Sequence, residues 1–219
     1  VMAGSAIALN WENKNVDAIL MTWYPGQEGG TAIASVIFGD YNPGGRLPVT
    51  FYSSLEQLPP FENYDMKNRT YRYFKGEPLY PFGFGLSYST FKYSNLIVPE
   101  LCDTKDKLKI KVDVMNNGPK EGDEVVQLYV NHPTANVPVP IHSLKGFKRI
   151  KLKAGEKKTV EFELDSKAMA ILDNKNNWVV TPGDIDIYVG GQQPNEKLVK
   201  DKKVLMGTCT KTGDIYYIK

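Results

Sequence analysis

Two histidines, two cysteines and seven scattered carboxylates are the residues in this chain whose types could do chemistry. His132 and His142 flank the proline-rich run NHPTANVPVPIH. Ten residues apart, they could meet at a metal. No Asp, Glu or Cys cluster stands near them to complete the four ligands a zinc site takes, so they read as surface loop residues. No G-x-S-x-G is present, and Ser5 lies in an apolar run with no base beside it, so a serine nucleophile is not indicated. Gly26 to Gly30 (GQEGG) precede a helical pattern, the setting in which backbone amides cradle phosphate. The dinucleotide spacing and the phosphate-binding lysine are both missing, so the glycines read as a tight strand-to-helix turn.

Paired carboxylates are the remaining enzymatic route, since glycoside hydrolysis needs one on each side of the scissile bond. Glu12, Asp17, Glu28, Glu56, Glu62, Asp65 and Glu77 are the candidates. None sits in a context that marks it as an acid or a nucleophile, so no catalytic residue is assigned. The aromatic segment Tyr64–Tyr88, with Arg69 and Arg72 in it, could stack on sugar faces. It reads better as a plug of rings between two domains, with the guanidinium groups stacked or paired among them. Trp23, Arg69, Tyr71, Arg72 and Phe82 are the structural candidates on this reading. Cys102 and Cys209 flank the sandwich strands described below. A bridge between them is conceivable but is not the favoured reading.

These residues need elements to position them. The chain has 219 residues, 42% of them hydrophobic and 24% charged, with 27 basic against 25 acidic side chains. That composition is globular, has room for a core, and excludes a disordered chain. The charge is spread evenly, which excludes the basic stripe of a nucleic-acid binder. No apolar run approaches the roughly 20 residues of a membrane span. Two cysteines cannot build a disulfide framework, and neither a metal nor a cofactor site is expected.

Two regimes divide the chain. In the first, VMAGSAIALNW opens like a buried strand with no basic leader, which suggests a piece of something longer. Val16–Thr22 reads as a second buried strand, Gln27–Phe38 as a helix stopped at Gly39, and Arg46–Phe51 as a third strand. Strand, helix, strand is α/β character, but one such unit cannot cover both faces of a parallel sheet. Residues 52–90 have no period, and so long an irregular segment points to function or to an interface.

In the second regime apolar and polar residues alternate. Leu108–Val114, Val126–Val130, Val160–Leu164 and Ile185–Val189 are clear strands. Phe91–Val98, Leu144–Leu152, Trp178–Val180 and Lys203–Met206 are weaker ones. Seven or eight short strands separated by turns read as a β-sandwich of immunoglobulin or fibronectin type III kind. The basic run Lys197–Lys203 reads as a solvated strand edge. Residues 1–90 are expected to be the partial α/β sandwich with its connecting segment, 91–207 the β-sandwich, and 208–219 a tail.

WYPGQEGGTAIASVIFGDYNPGGRLPVTF (Trp23–Phe51) resembles the C-terminal α/β sandwich domain of glycoside hydrolase family 3. RTYRYFKGEPLYPFGFGLSYSTF (Arg69–Phe91) resembles the segment by which that domain enters the family's fibronectin type III-like module. VDVMNNGPKEGDEVVQLYV (Val112–Val130) and LKGFKRIKLKAGEKKTVEFEL (Leu144–Leu164) are similar to that module's hallmarks. The resemblance implies a retaining β-glycosidase whose nucleophile lies in an upstream (β/α)8 barrel of the same polypeptide. The resemblance further places the acid/base of many members in a motif upstream of WYPGQ that neither Glu12 nor Glu28 occupies, so neither is assigned as acid/base. It further implies an oligosaccharide substrate and a periplasmic or secreted location. The wording PPFENYDMKNRTYRYF (Pro59–Phe74) is nearer the β-xylosidase members than the β-glucosidases. The chain is then expected to be non-catalytic alone; an independent carbohydrate-binding or adhesion module is the alternative.

Overall fold

The computed structural model describes residues 1–218. From Phe91 onward it is a β-sandwich, and the alternation in the sequence is the reason. One sheet has the order β1–β3–β6, from Phe91–Ile97, Leu108–Asn116 and Lys157–Leu164. The second has the order β2–β10–β9–β4–β5, from Leu101–Asp103, Val204–Thr212, Gly183–Gly190, Gly122–Asn131 and Ser143–Leu152. Pairing is antiparallel except for β2 on β10. Because successive side chains point to opposite faces, Leu108, Ile110, Val112 and Val114 all turn inward while the lysines between them face solvent. They meet Val126, Leu128 and Val130 of β4 and Ile185, Ile187 and Val189 of β9 in one core. Each such side chain contributes about 1.5–3 kcal/mol on full burial.

Asn116 ends β3 inside the protein without an orphaned polar atom. Its amide donates to the carbonyls of Lys120 (2.8 Å) and Leu152 (3.1 Å), and its Oδ1 accepts from Gly118 N (2.9 Å). That closes the turn written as Asn116-Asn117-Gly118.

The expected strand edge at Lys197–Lys203 is instead mostly helix α5 (Glu196–Lys200). Asn195 caps it, its side chain accepting from Leu198 N at 2.8 Å, and β10 begins only at Val204. The residues set apart as a tail are ordered into strands, of the sandwich up to Thr212 and of a separate three-stranded sheet after it. β10 runs on to Thr212, and β11 (Tyr216–Tyr217) pairs with β8 (Trp178–Val180), which in turn pairs with β7 (Ile171–Leu172). The short helix α4 (Ser166–Met169) is capped by Asp165. Lys219 lies outside the described residues.

Residues 1–90 are built differently. Helix α1 spans Asn10–Asn15, α2 spans Gly29–Ile37 and α3 spans Thr70–Tyr73. α2 stops where the sequence places its glycine: Gly39 sits at φ +81° and donates to Val36 O. None of the three expected strands forms here. Val16–Thr22 has almost no pairing along its length, Arg46–Phe51 is bonded to residues 80–84 only at Leu47 and Phe51, and the opening run is mostly exposed, with Leu9 alone buried. What remains is one rung. Val1 N donates to Leu20 O and Thr22 N to Val1 O, the hydrogen-bond pattern of a parallel pair centred on Val1 and Met21. Phe51 likewise makes a single antiparallel bridge with Tyr80. Among the described residues no helix is long and apolar enough to cross a membrane.

Candidate functional site

The carboxylates considered for hydrolysis do not converge in an enclosed site. Asp17, Glu28, Glu56, Glu62, Asp65 and Glu77 are exposed, and Glu12 is half-buried on α1. The histidines are not surface groups. Both are half-buried beside β5, and burial holds each down to about 4 from the usual 6.5, with Lys145 adding to the effect at His132. His142 packs edge-on against Tyr188 (5.1 Å), with its Nδ1 buried and unpartnered. Among the described residues no group of three potential metal ligands comes together.

What the structure does build is the joint between residues 1–90 and the sandwich. Glu124 sits at the start of β4 in the same alternation as Val126, Leu128 and Val130, so its carboxylate points inward. Arg46 reaches across from the first half to pair with it. The two side chains keep only 9% and 4% of their exposure, so water screens the pair little. Tyr93 of β1 donates its hydroxyl to the other carboxylate oxygen at 2.5 Å. Burial pushes the Glu124 carboxyl up, while Arg46 and then Tyr93 pull it back. Burial first and Glu124 second hold the Tyr93 phenol well above its ordinary range. Gly191 leaves room for this triad; a Cβ there would lie 2.4 Å from Glu124 Oε1.

Beside the triad lies the aromatic segment. Tyr71 and Phe82 stack at 4.2 Å, and each presents its face or edge to Tyr129 of β4, at 6.1 and 6.5 Å. Tyr129 donates to Gln127 Oε1 (2.6 Å), whose Nε2 donates to Gly191 O (2.7 Å) and Gly83 O (3.2 Å). Gln193 closes the layer by donating to Phe82 O and Tyr71 O. Gly83 has φ +77° and lies so close that a Cβ would stand 2.2 Å from Gln127 Oε1.

At the other end, the turn Asp40–Gly45 docks on the β4–β5 edge. Asn42 makes four bonds: it donates to Ser89 Oγ and Glu121 O, and accepts from Ser87 Oγ and Tyr88 N. Arg149 joins Asp123 and Tyr41.

Of the residues singled out from sequence, Tyr71 and Phe82 meet at this joint. Arg72 contributes there through its backbone, its carbonyl accepting from Ile141 N (2.7 Å), while its guanidinium lies over Tyr73. Trp23 is elsewhere, edge-on to Phe51 (6.1 Å) within the first half. Arg69 braces its own loop, donating to the carbonyls of Asp65, Pro60 and Asn63. Arg46, Asn42, Glu124 and Gln127 were not singled out. A carboxylate in the inward register of an otherwise apolar strand was the available signal for Glu124.

This arrangement ties residues 1–90 to the sandwich through a buried ion pair, a layer of rings and the Asn42 turn. The family model of the glycosyl hydrolase family 3 C-terminal domain matches residues 1–88, and that of the fibronectin type III-like domain matches residues 124–193. The joint therefore lies where these two domains meet. The chain belongs to glycoside hydrolase family 3.

Among curated relatives, a xylan 1,4-β-xylosidase of Xylanibacter ruminicola is 45% identical over 90% of this chain and 23% of its own length. A periplasmic β-glucosidase of Salmonella typhimurium is 40% identical over 87% of this chain and 26% of its own. The solved structure of a β-glucosidase from Erythrobacter marinus superposes with a TM-score of 0.82 at 34% identity, over 96% of this chain and 27% of that one. The chain thus spans about a quarter of the length of the family 3 proteins it matches.

Proposed function

We propose that this chain is the non-catalytic C-terminal portion of a retaining β-glycosidase that removes terminal β-linked sugars from oligosaccharides, β-xylosides ahead of β-glucosides. Its partner is an upstream (β/α)8 barrel of the same polypeptide, and its place of work is the periplasm or outside the cell. One observation carries the reading: relatives named β-xylosidase and β-glucosidase match most of this chain with only a quarter of their own length. The surface of residues 1–90 supports the partner. Trp11, Tyr24, Ile37, Phe38 and Leu55 are exposed, Phe38 by 81%, and large apolar side chains left to water fit a surface that another domain covers. The sugar preference rests on 45% identity to the xylosidase against 40% to the glucosidase. The compartment rests on the periplasmic relative.

Retaining hydrolysis needs two carboxyls about 5–5.5 Å apart, one attacking and one donating a proton. The chain alone is therefore expected to release no nitrophenol from aryl β-xyloside or β-glucoside. The longer polypeptide is expected to cleave the xyloside faster. Turnover by the chain alone overturns the non-catalytic assignment, and faster glucoside cleavage overturns the sugar preference.

One observation favours a second reading, an independent carbohydrate-binding module. Phe61 and Tyr64 are each 91% exposed on the loop that Arg69 braces, and planar rings stack on sugars. Titration with xylo- and cello-oligosaccharides, followed by tryptophan fluorescence, separates the two. Saturable quenching below millimolar concentration supports the binding module, and a flat titration supports the first reading.

A further inference from the structure

The geometry points to a disulfide between Cys102 and Cys209 that cross-links β2 to β10 when the protein meets a disulfide donor. In the parallel pairing of these strands Cys102 lies opposite Lys211, and Cys209 is two residues before Lys211. Residues two apart point to the same face, so the two cysteines are diagonal neighbours on one side of the sheet. Their sulfurs are 2.9 Å apart, and both are free thiols. A covalent S–S bond is about 2.05 Å long, so closure requires a movement of under about 1 Å.

The surroundings favour the oxidised form in two ways. Strand β2 is three residues long and is held to the sheet by its pairing with β10 alone, so a cross-link constrains a weakly supported edge. The bridge joins residues 107 positions apart, and a loop that long removes much of the unfolded chain's freedom. The competing reading is that two reduced thiols serve as small apolar side chains, since Cys209 is fully buried in the sandwich core and Cys102 packs against it.

The chemistry is thiol–disulfide exchange. Cys102, the more accessible sulfur, attacks a disulfide such as oxidised glutathione, forming a mixed disulfide and releasing one glutathione thiolate. Cys209 then attacks the Cys102 sulfur and releases the second. Two protein thiols lose two electrons and two protons; the donor disulfide takes the electrons and its thiolates take the protons. Burial, and then Cys102 beside it, push the Cys209 thiol up to about 12, while the neighbouring Lys211 pulls the other way. Ring closure is accordingly the slower step, and it quickens as pH rises.

The test uses the whole chain, purified reduced and then equilibrated with oxidised glutathione under native conditions. The expected product is lighter by two hydrogens, has no titratable thiol, and yields a Cys102–Cys209 peptide pair on non-reducing mapping. Its Tm rises by roughly 5–15 °C, and reduction reverses the rise. Cys102→Ser, which changes the less buried partner, is expected to keep the reduced protein's Tm within a few degrees and to lose the oxidation-dependent rise. Two thiols still titratable after prolonged exposure, or a stable glutathione adduct at Cys102 with Cys209 free, overturns the proposal. So does an oxidised wild type with no gain in Tm.

Discussion

Arg46 and Glu124 show how much one buried charge can be asked to hold. Taking a carboxylate and a guanidinium out of water costs several kcal/mol each, and the pair persists because Tyr93 satisfies the second oxygen. Removing one partner is therefore worse than removing both. Arg46→Met is expected to destabilise the chain by about 3–5 kcal/mol in urea unfolding, and Arg46→Met with Glu124→Gln to recover most of that loss. A double variant no better than the single one would mean that Arg46 acts through packing alone.

The histidines and Asp113 predict two separate pH windows. His132 and His142 sit near 4 in the folded chain against 6.5 in the unfolded one, so only the unfolded state takes up their protons as pH falls. Their contribution is complete above pH 6.5 and is lost progressively down to pH 4. Asp113, held at about 2 by hydrogen bonds from Thr159, Asn95 and Lys157, contributes above 3.8 and fails only as pH drops toward 2. Urea midpoints scanned downward from neutrality should fall in both windows. His132→Gln with His142→Gln should flatten the upper window and leave the lower one; an unchanged upper slope refutes the assignment.

At the scale of elements, the sandwich was legible because each strand carries its own instruction. Lys109, Lys111 and Asp113 alternate with residues of zero exposure on β3, and the same period marks β6 and the start of β4, while β9 is buried on both faces from Ile185 to Gly190. Of the strands of two or three residues, only β8 is legible, from its Trp-Val-Val run; β2, β7 and β11 show no period, and neighbours supply their pairing. Val16–Thr22 failed in the opposite way. It is apolar enough for a buried strand, but pairing is a property of two segments, and only one rung of it exists here. The joint was half legible: ring clusters announce an interface, whereas Arg46 and Asn42 carry no local pattern that names a partner about 80 residues on.

Gly83 tests the aromatic layer as an element. Its φ of +77° and the Gln127 amide 2.2 Å from where a Cβ would stand make alanine costly on both backbone and packing grounds. Gly83→Ala is expected to cost about 2–4 kcal/mol by chemical denaturation. Gly155→Ala, at φ +75° with open space around it, carries only the backbone part and should cost about 1 kcal/mol. Equal losses at the two glycines would mean that the layer against Gln127 is loosely packed.

For the whole molecule, the decisive asymmetry is where the core lies. Every member of the main hydrophobic cluster falls between Tyr93 and Cys209, whereas residues 1–90 bury only Leu9, Phe51 and Phe74 among their large apolar side chains. A domain needs a core to offset about 1–2 kcal/mol of backbone entropy per residue, and three such side chains fall far short. The first half must therefore borrow order from the sandwich through Arg46, Asn42, Tyr71 and Phe82, and on the proposed reading from an upstream barrel as well. Expressed alone, residues 91–219 should give a dispersed amide spectrum and a cooperative urea transition. Its midpoint should be lower than that of the whole chain, because Tyr129 and Gln127 lose their cover. Residues 1–90 alone should give a collapsed spectrum and bind a hydrophobic dye strongly. A folded first half would show that the three buried residues are not its whole core, and an unfolded sandwich would show that the dependence runs both ways. The expected pair of outcomes makes the joint a one-way support, with the sandwich as the brace against which the family 3 domain is held.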